Sequence, residues 1–301
     1  MATKATTVLR SFNNGNKIPW IGFGTGTALY SKEAAEPVFT ALSAGFTHID
    51  GAEAYGNEDS IGIALQRHLS GPSAPSRESI FITTKLYKAL EPNQAVRDRL
   101  KVSLGKLQVD YVDLYLLHTP IPHLGKLKDM WKQMEDLQKE GLAKNIGVSN
   151  FRVKDFEQFI STAEIIPVCN QIEFNPYLLN ATDPIFAFQE KYGIMTVSFG
   201  GLNPIRVYNG GPIDAVLPII RERYSKDLKI DIADEQILTK WTLSKGVLPI
   251  TTSSKKERLE LMLRTAELPD LQQSEVDLID QAGRKEHHRR YQLHMDEGAR
   301  L

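Results

Sequence analysis

The stretch HIDGAEAYGNE, residues 48–58, joins a predicted strand to a predicted helix and shows how the chain is built. An apolar run ends in Asp50, and a turn rich in glycine and alanine then carries Tyr55. Asn57 stands at the position of a helix N-cap. The apolar residues of the following helix recur at a spacing of four, at Ile61, Leu65 and Leu69. A buried strand followed at once by an amphipathic helix is the unit of α/β proteins with parallel sheets.

Eight apolar runs of this kind occur along the chain, and amphipathic segments lie between them. The runs do not alternate between apolar and polar residues, which is typical of strands buried on both faces of a parallel sheet. They are WIGFGTG (20–26), FTHID (46–50), IFITTKL (80–86), VDLYLLH (112–118), KNIGVS (144–149), VCNQIE (168–173), IMTVSF (194–199) and VLPITT (247–252). Eight strands with intervening helices in 301 residues favour a TIM (β/α)8 barrel over an open sheet.

The ends of the predicted helices are marked by polar residues and glycines. Ser31 is the expected N-cap of the first helix, which stops at Gly45, and Gly141 is the expected end of the fourth. Val38 and Leu42 form the buried face of the first helix. Further helices are predicted at 94–104, 127–140, 153–163 and 234–245.

The segment before the first run, TVLRSFNNGNKIP (7–19), is predicted to be a β-hairpin that turns at Asn14 and Gly15. We expect this hairpin to cover the bottom of the barrel as a plug. No linker-like shift in composition follows it, so residues 1–301 are predicted to form a single domain.

The bulk composition excludes several classes of function. The chain is 42% hydrophobic and 24% charged, with a formal net charge of −1, so no long-range field favours nucleic acid or an anionic membrane. The beginning of the sequence has no long apolar segment, so neither a signal peptide nor a membrane span is expected. Cys169 is the single cysteine, and an internal disulfide is impossible. We expect a cytoplasmic monomer or weak dimer that acts on a small molecule.

Polar residues stand where the predicted strands end, which is the face of a TIM barrel that carries active sites. They are Asp50, Lys85, His118, Ser149, Asn150, Gln171 and the hydroxyl-rich run 251–254. We therefore expect the functional site at this end of the barrel.

Four of the residues at or near these strand ends suit proton transfer to a carbonyl oxygen. The Lys85 ammonium lies in an apolar run and needs a partner, which Asp50 can provide. A nearby cation lowers the pKa of a phenol from about 10, so Tyr55 beside Lys85 would become a stronger general acid. His118 can donate a hydrogen bond to the same oxygen. The carbonyl carbon also needs a hydride, which no side chain supplies and a nicotinamide cofactor does.

Each of these residues taken singly has an ordinary structural explanation. Asp50 could cap a helix, Tyr55 could pack as a loop aromatic, and Lys85 could extend to solvent. His118 could be a satisfied core histidine. Their common location at one end of different strands favours a site over coincidence.

Five motifs occur in the order HIDGAEAYGNE, TTKLY, LLHTP, IGVSNF and NQIEFNP, and the match runs from about residue 17 to 265. The chain thereby resembles the aldo-keto reductases. The resemblance implies a TIM barrel and NADPH-dependent carbonyl reduction. It implies that Tyr55 is the general acid, Lys85 tunes it, Asp50 supports the lysine and His118 orients the substrate. The phrase LPITTSSKKERL and the short loop after His118 resemble a fungal branch with conjugated polyketone, ketopantoyl lactone and α-keto amide reductases.

The chain lacks a Rossmann fingerprint, since Thr27 stands in place of the third glycine in GFGTGT. The nicotinamide end of the cofactor site is therefore placed by the same resemblance. Ser149, Asn150 and Gln171 are implied to hold the carboxamide, and the two amide side chains offer both a donor and an acceptor. Phe199 takes the place of the tyrosine that usually stacks on the ring. Two alternatives stay open, a helix cap for residues 149–150 and a core role for Phe199.

The phosphate end of the cofactor site is predicted at TTSSKKER (251–258), where hydroxyls and cations meet a helix N-terminus. The resemblance assigns it to the adenosine 2′-phosphate. Thr252 replaces the family's usual lysine, and Lys255 or Lys256 can restore the charge. Nothing is carried over to Leu261 and Met262, which replace the pair that meets the adenine. The full predicted cofactor set is Gly24, Thr25, Gly26, Asp50, Ser149, Asn150, Gln171, Phe199, Gly200, Gly201, Leu202, Ile250, Thr251, Thr252, Ser253, Ser254, Lys255 and Arg258.

The substrate walls implied by the resemblance have little bulk. They are Gly26, Thr27, Ala54, Tyr87, His118 and Thr119. The absence of tryptophan there predicts an open, more polar pocket for a compact dicarbonyl, a ketolactone such as 2-dehydropantolactone, or an α-keto amide. The run EHHRR (286–290) is not predicted to bind a metal, because adjacent histidines point apart. We expect it to be polar tail near the pocket rim.

Two other functions are compatible with the same fold. One is a binding protein, since some members of the family serve as channel subunits that sense nicotinamide cofactors. The other is an aldolase that forms a Schiff base on Lys85. Asp50 and Tyr55 beside that lysine favour its protonated form, which disfavours the aldolase.

Overall fold

The computed structural model describes residues 8–296, and a closed barrel of eight parallel strands forms its centre. The strands are β1 (Leu9–Ser11) and β2 (Lys17–Pro19) in a separate hairpin, and β3 (Gly22–Gly24), β4 (His48–Asp50), β5 (Phe81–Leu86), β6 (Leu114–Leu117), β7 (Ile146–Ser149), β8 (Cys169–Glu173), β9 (Met195–Phe199) and β10 (Leu248–Thr251) in the barrel. The barrel closes where Ile250 of β10 pairs with Gly22 of β3. Each predicted apolar run contains one of these strands, so the TIM barrel prediction is confirmed.

Helices alternate with the strands on the outside of the barrel. They are α1 (Ala35–Ala44), α2 (Glu58–His68), α3 (Val96–Leu107), α4 (Leu127–Lys139), α5 (Val153–Phe156), α6 (Leu179–Tyr192), α7 (Asn203–Arg206), α8 (Leu217–Arg223), α9 (Asp234–Ser244), α10 (Lys256–Arg264) and α11 (Gln273–Gly283). The predicted helix at 153–163 is wrong in extent. After the four residues of α5, bonds such as Phe159 N to Phe156 O tighten the chain, and a 3₁₀ turn follows at Ile160–Thr162.

The helices α1 and α2 pack against the barrel through apolar side chains. Val38 and Leu42 of α1 and Ile61 and Leu65 of α2 are buried, as their spacing predicts. Burial of each such side chain contributes about 1.5–3 kcal/mol. The helical layer therefore stabilises the barrel, whose strand ends carry the polar side chains of the predicted site.

The N-terminal hairpin covers the bottom of the barrel, as expected. Its strands pair antiparallel around Gly15, whose φ is 86°. Phe12 and Ile18 are buried with Phe81 and Leu114, the first residues of β5 and β6. The plug therefore closes the end of the barrel opposite the predicted site.

The helix stops are confirmed, and one helix start is wrong. Gly45 and Gly141 both adopt positive φ, 111° and 78°, where their helices end. Ser31 does not cap α1, which begins four residues later after Ala34. The Ser31 N–H instead donates to Tyr55 O at 2.8 Å, so the residue belongs to a loop bound to the site. Within residues 8–296, no helix has the length and apolar character needed to cross a bilayer.

Candidate active site

Four polar side chains meet at the C-terminal end of the barrel. Asp50 ends β4, Lys85 lies near the end of β5, and His118 directly follows β6. Tyr55 closes a short 3₁₀ turn, Glu53–Tyr55, after β4. The Lys85 Nζ lies 2.6 Å from Asp50 Oδ1 and 3.4 Å from Tyr55 Oη. The Tyr55 Oη in turn lies 3.5 Å from His118 Nε2. The structure thus brings together all four residues that the sequence singled out.

The Lys85 ammonium is fully buried and paired. Its side chain has no exposed area, the Asp50 side chain is 4% exposed, and Gly51 O accepts a further hydrogen bond at 2.8 Å. Burial acts to lower the pKa of Lys85, but the Asp50 carboxylate and the Tyr55 oxygen outweigh it and raise the pKa above 10.5. Lys85 is therefore charged at neutral pH and does not extend to solvent.

The pKa of Tyr55 departs from the prediction. Burial raises the pKa of Tyr55 above its ordinary value of 10, and the opposing effect of Lys85 does not compensate. The prediction of a lowered pKa is therefore wrong, because it counted the cation and not the loss of water around the phenol oxygen. Tyr55 keeps its proton at neutral pH, which is the form that a proton donor needs.

His118 is a neutral imidazole. Burial, with a smaller effect of the Lys85 charge, lowers its pKa well below 6.5. Its Nε2 faces Tyr55 Oη, and its buried Nδ1 has no hydrogen-bond partner within residues 8–296. Because nothing holds the proton on Nδ1, the Nε2 atom is free to carry it and to donate a hydrogen bond.

Three predicted nicotinamide ligands lie beside this cluster. The Gln171 Nε2 donates to Asp50 Oδ2 at 2.7 Å, and Ser149 Oγ donates to Gln171 O at 2.7 Å. The Asn150 Nδ2 donates to His118 O at 2.9 Å, while its Oδ1 is buried without a partner in the described part of the chain. A buried acceptor without a donor fits the N–H of a carboxamide.

The alternative helix-cap role for residues 149–150 is not what the structure shows. The helix α5 begins at Val153, and Arg152 is its N-cap. The Asp155 Oδ2 accepts from the Arg152 N–H at 2.9 Å and closes the capping box. Ser149 and Asn150 are consequently available to the barrel mouth.

The C-terminal segment, residues 286–296, lies at the barrel mouth, as expected for the run 286–290, but the hydrogen bonds that hold it there were not predicted. The carboxylate of fully buried Glu173 accepts from the backbone N–H groups of Arg290 and Tyr291, the shortest at 2.8 Å. The same carboxylate accepts from Asn203 Nδ2 at 2.8 Å, at the start of α7. The segment also contacts Asn150, whose O lies 3.0 Å from His294 Nε2. For the contacts with Glu173, the sequence offered only a glutamate at the end of an apolar run.

Phe199, predicted to stack on the nicotinamide, ends β9 and is partly exposed rather than enclosed in the core. Its ring meets Tyr291 of the C-terminal segment edge-on at 5.9 Å. The EHHRR run thus belongs to a segment at the pocket rim. Within residues 8–296 no group of three histidine, cysteine or acidic side chains is arranged to hold a metal.

The predicted phosphate site surrounds the start of α10. Ser253, Lys255 and Arg258 lie there, and Ser253 Oγ accepts from Lys255 N at 3.1 Å. Lys255 and Arg258 are exposed and form no salt bridge within the described residues, whereas Lys256 pairs with Glu260. Two exposed cations without a salt bridge in the described part of the chain, at a helix N-terminus, suit a phosphate.

The predicted substrate walls lie around Tyr55 and His118. The Tyr87 ring meets the His118 ring at 5.4 Å, Ala54 adjoins Tyr55, and Thr119 is buried with an unpartnered Oγ1 in the described structure. Tyr30, which no sequence motif singled out, also borders the site, and its ring contacts that of Tyr55 at 6.2 Å. Tyr30 lies 25 residues before Tyr55, and no sequence pattern indicates that the two rings meet.

Comparison with known proteins places this site in a family. The profile described as "Aldo/keto reductase family" matches residues 20–204. The NAD/NADP-dependent indole-3-acetaldehyde reductase of Schizosaccharomyces pombe is 40% identical, over 94% of this chain and 98% of that protein. The NADPH-dependent α-keto amide reductase of Saccharomyces cerevisiae is 36% identical, over 91% and 90%.

Solved structures of aldo/keto reductases show the same fold. The crystal structure of an aldo/keto reductase from Brucella melitensis superposes with a TM-score of 0.77 at 32% identity, covering 91% of this chain and 99% of that one. Fold, motifs and relatives converge, and the chain belongs to the aldo/keto reductase family.

Proposed function

We propose that the protein is an NADPH-dependent carbonyl reductase in which Tyr55 donates the proton. The observation that carries this is the buried chain of contacts from Asp50 through Lys85 to Tyr55 Oη, with neutral His118 3.5 Å from that oxygen. A protonated phenol and an imidazole N–H that face one point suit a carbonyl oxygen there. The relatives named as NADP-dependent reductases support the same reaction.

The residues at the mouth fit NADPH. The unpartnered Asn150 Oδ1 would accept from the carboxamide, beside Ser149 and Gln171, and the partly exposed Phe199 would face the ring. The other members of the proposed set are Gly24, Thr25, Gly26, Asp50, Gly200, Gly201, Leu202, Ile250, Thr251, Thr252, Ser253, Ser254, Lys255 and Arg258. When bound, NADPH supplies the hydride that adds to the carbonyl carbon.

The side chains then complete the reaction. Tyr55 gives its proton to the carbonyl oxygen as negative charge develops there, and a new O–H bond forms. The phenolate left behind is stabilised by the Lys85 ammonium 3.4 Å away, which Asp50 keeps protonated. Solvent returns the proton to Tyr55. His118 holds the oxygen during the transfer and, being neutral, adds no competing charge.

The proposed substrates are compact carbonyl compounds: α-dicarbonyls, ketolactones such as 2-dehydropantolactone, and α-keto amides. The loop positions Gly26, Thr27 and Thr119 add little bulk beside the cluster. The activity named for the yeast relative is α-keto amide reduction, which supports this range. We also propose that residues 1–301 act as one domain, in a cytoplasmic monomer or weak dimer.

The test is a panel assay with purified protein. NADPH oxidation is followed with methylglyoxal, 2-dehydropantolactone, an α-keto amide and indole-3-acetaldehyde. We expect steady turnover with at least one carbonyl, and none for Lys85→Met. NADPH binding without turnover of any panel member would instead support the cofactor-sensing function.

The aldolase alternative has a separate test. Borohydride is added with a carbonyl substrate in the absence of NADPH, and the intact mass is measured. Because Lys85 is protonated at neutral pH, we expect no covalent adduct. An adduct on Lys85 would contradict the hydride mechanism.

A further inference from the structure

The loop after β3 lies directly against the ring of the proposed proton donor. A Cβ atom built on Gly26 would stand 2.5 Å from Tyr55 Cζ, well inside van der Waals contact. Only a glycine lets the backbone approach the phenol this closely. Residue 26 therefore cannot carry a substrate-contacting side chain while Tyr55 stays in place.

An aromatic side chain from the same loop stands at this edge of the site. The Tyr30 ring meets the Tyr55 ring at 6.2 Å with an interplanar angle of 61°, an edge-to-face contact. Yet 53% of Tyr30 is exposed. A large ring that touches a catalytic side chain and leaves half its area open has surface to offer a ligand.

The position of Tyr30 is fixed without any ligand. The buried Asn57 side chain donates from Nδ2 to Thr25 O at 3.0 Å and to Leu29 O at 2.9 Å. On the other side of Tyr30, the Ser31 N–H donates to Tyr55 O at 2.8 Å. The loop is thus fastened to the element that carries the proton donor, and the backbone that carries the Tyr30 ring is held beside it.

A second exposed ring flanks the other half of the site. Tyr87 is 39% exposed, and its ring meets that of His118 at 5.4 Å. Its N–H donates to Glu53 Oε1 at 2.7 Å, and Arg99 Nε holds Glu53 Oε2 at 3.0 Å. Each of the two groups that face the carbonyl oxygen therefore has a fixed, half-open aromatic neighbour.

We infer that Tyr30 is a specificity-determining residue that selects substrates with an aromatic group close to the reacting carbonyl. The inference rests on the proposed reductase function and narrows the proposed α-dicarbonyl substrates to those that carry an aryl group. An oxygen bound between Tyr55 and His118 places the substituents of its carbon next to these rings. A flat apolar group there covers exposed aromatic surface and gains ring contacts.

The experiment compares phenylglyoxal with methylglyoxal, which differ only in the group attached to the same dicarbonyl. For the natural sequence we expect kcat/KM to be higher for phenylglyoxal. In Tyr30→Ala the ratio of the two kcat/KM values falls about five- to tenfold, mainly through a higher KM for phenylglyoxal. In Tyr30→Phe the ratio is retained, because the ring and not the hydroxyl makes the contact.

The matched control is Ile63→Ala, which truncates a 55% exposed side chain on the outer face of α2 and leaves the ratio unchanged. Equal loss with both substrates in Tyr30→Ala, an unchanged ratio, or a ratio lost in Tyr30→Phe would each overturn the inference. No NADPH oxidation by the natural sequence with either substrate or with the wider panel would instead refute the reductase function.

Discussion

Replacing Asp50 by asparagine is expected to lower the free energy of unfolding by about 3–5 kcal/mol at neutral pH. The carboxylate lies 2.6 Å from Lys85 Nζ, and neither side chain is more than 4% exposed. Without the negative charge, the buried ammonium keeps only neutral partners, namely the amide oxygen of the new side chain, Gly51 O and Tyr55 Oη. The cost is large because one partner of a buried pair is removed and the other stays charged.

The loss of stability in Asp50→Asn is expected to become smaller as the pH rises. In the natural sequence the folded-state pKa of Lys85 is raised above 10.5, so its stabilising contribution is fully present below that pH and is lost as the pH rises through the folded-state pKa. In Asp50→Asn, burial is no longer opposed by the carboxylate, so the folded-state pKa falls below the unfolded value. The stability of the variant therefore rises with pH between these two values, and the deficit shrinks.

The assay is urea denaturation followed by tryptophan fluorescence at about pH 7 and about pH 9. The control is Glu36→Gln, which breaks the exposed pair with Arg67 (73% and 52% exposed) and should cost about 0–1 kcal/mol. A loss for Asp50→Asn no larger than that of the control would refute the reasoning. So would a deficit that grows from the lower to the higher pH.

Three further predictions concern the phosphate site, the C-terminal segment and a buried acid. Arg258→Ala should raise the Kd of NADPH about tenfold and that of NADH far less. The control Arg264→Ala, at the other end of α10, should change neither Kd. An equal loss of affinity for both cofactors in Arg258→Ala would remove the phosphate role. Glu173→Ala should release residues 286–296, so limited proteolysis there becomes about tenfold faster and the KM for NADPH rises; unchanged cleavage would contradict the contacts. Burial raises the pKa of Glu58, so its charged form destabilises the fold above that pKa. Glu58→Gln should raise Tm by about 2 °C at about pH 8, and the gain should shrink as the pH falls toward about 5. A lower Tm for the variant would contradict this, because the hydrogen bonds to the charged carboxylate would then outweigh the cost of burying it.

The fold was predictable because most residues of the barrel strands are buried on both faces of the sheet. The resulting apolar runs mark each strand, and the glycines at 45 and 141 mark helix ends by their positive φ. Ser31 was misassigned because a serine in a polar stretch looks like a cap, whereas its backbone is bound to Tyr55. The helices α6, α7, α8 and α11 were not predicted.

The site was predictable as far as strand ends determine it. Asp50 ends a strand, Lys85 lies one residue before the end of its strand and His118 follows a strand, so the barrel necessarily gathers them. The direction of the Tyr55 pKa shift was not predictable, since it depends on how far the fold excludes water from the phenol oxygen. The contact of Glu173 with Arg290 spans 117 residues, and no local pattern signals it.

The most direct test of the proposed mechanism is Tyr55→Phe, which removes one oxygen and leaves the ring. We expect kcat/KM for carbonyl reduction to fall by about 10²- to 10⁴-fold, because the proton donor is gone. The Kd of NADPH should stay within about twofold in a fluorescence titration, since the proposed cofactor contacts lie on other residues. Tyr192→Phe, a partly exposed tyrosine on α6, should keep full turnover. If Tyr55→Phe also kept most of its turnover, the assignment of Tyr55 as proton donor would be wrong.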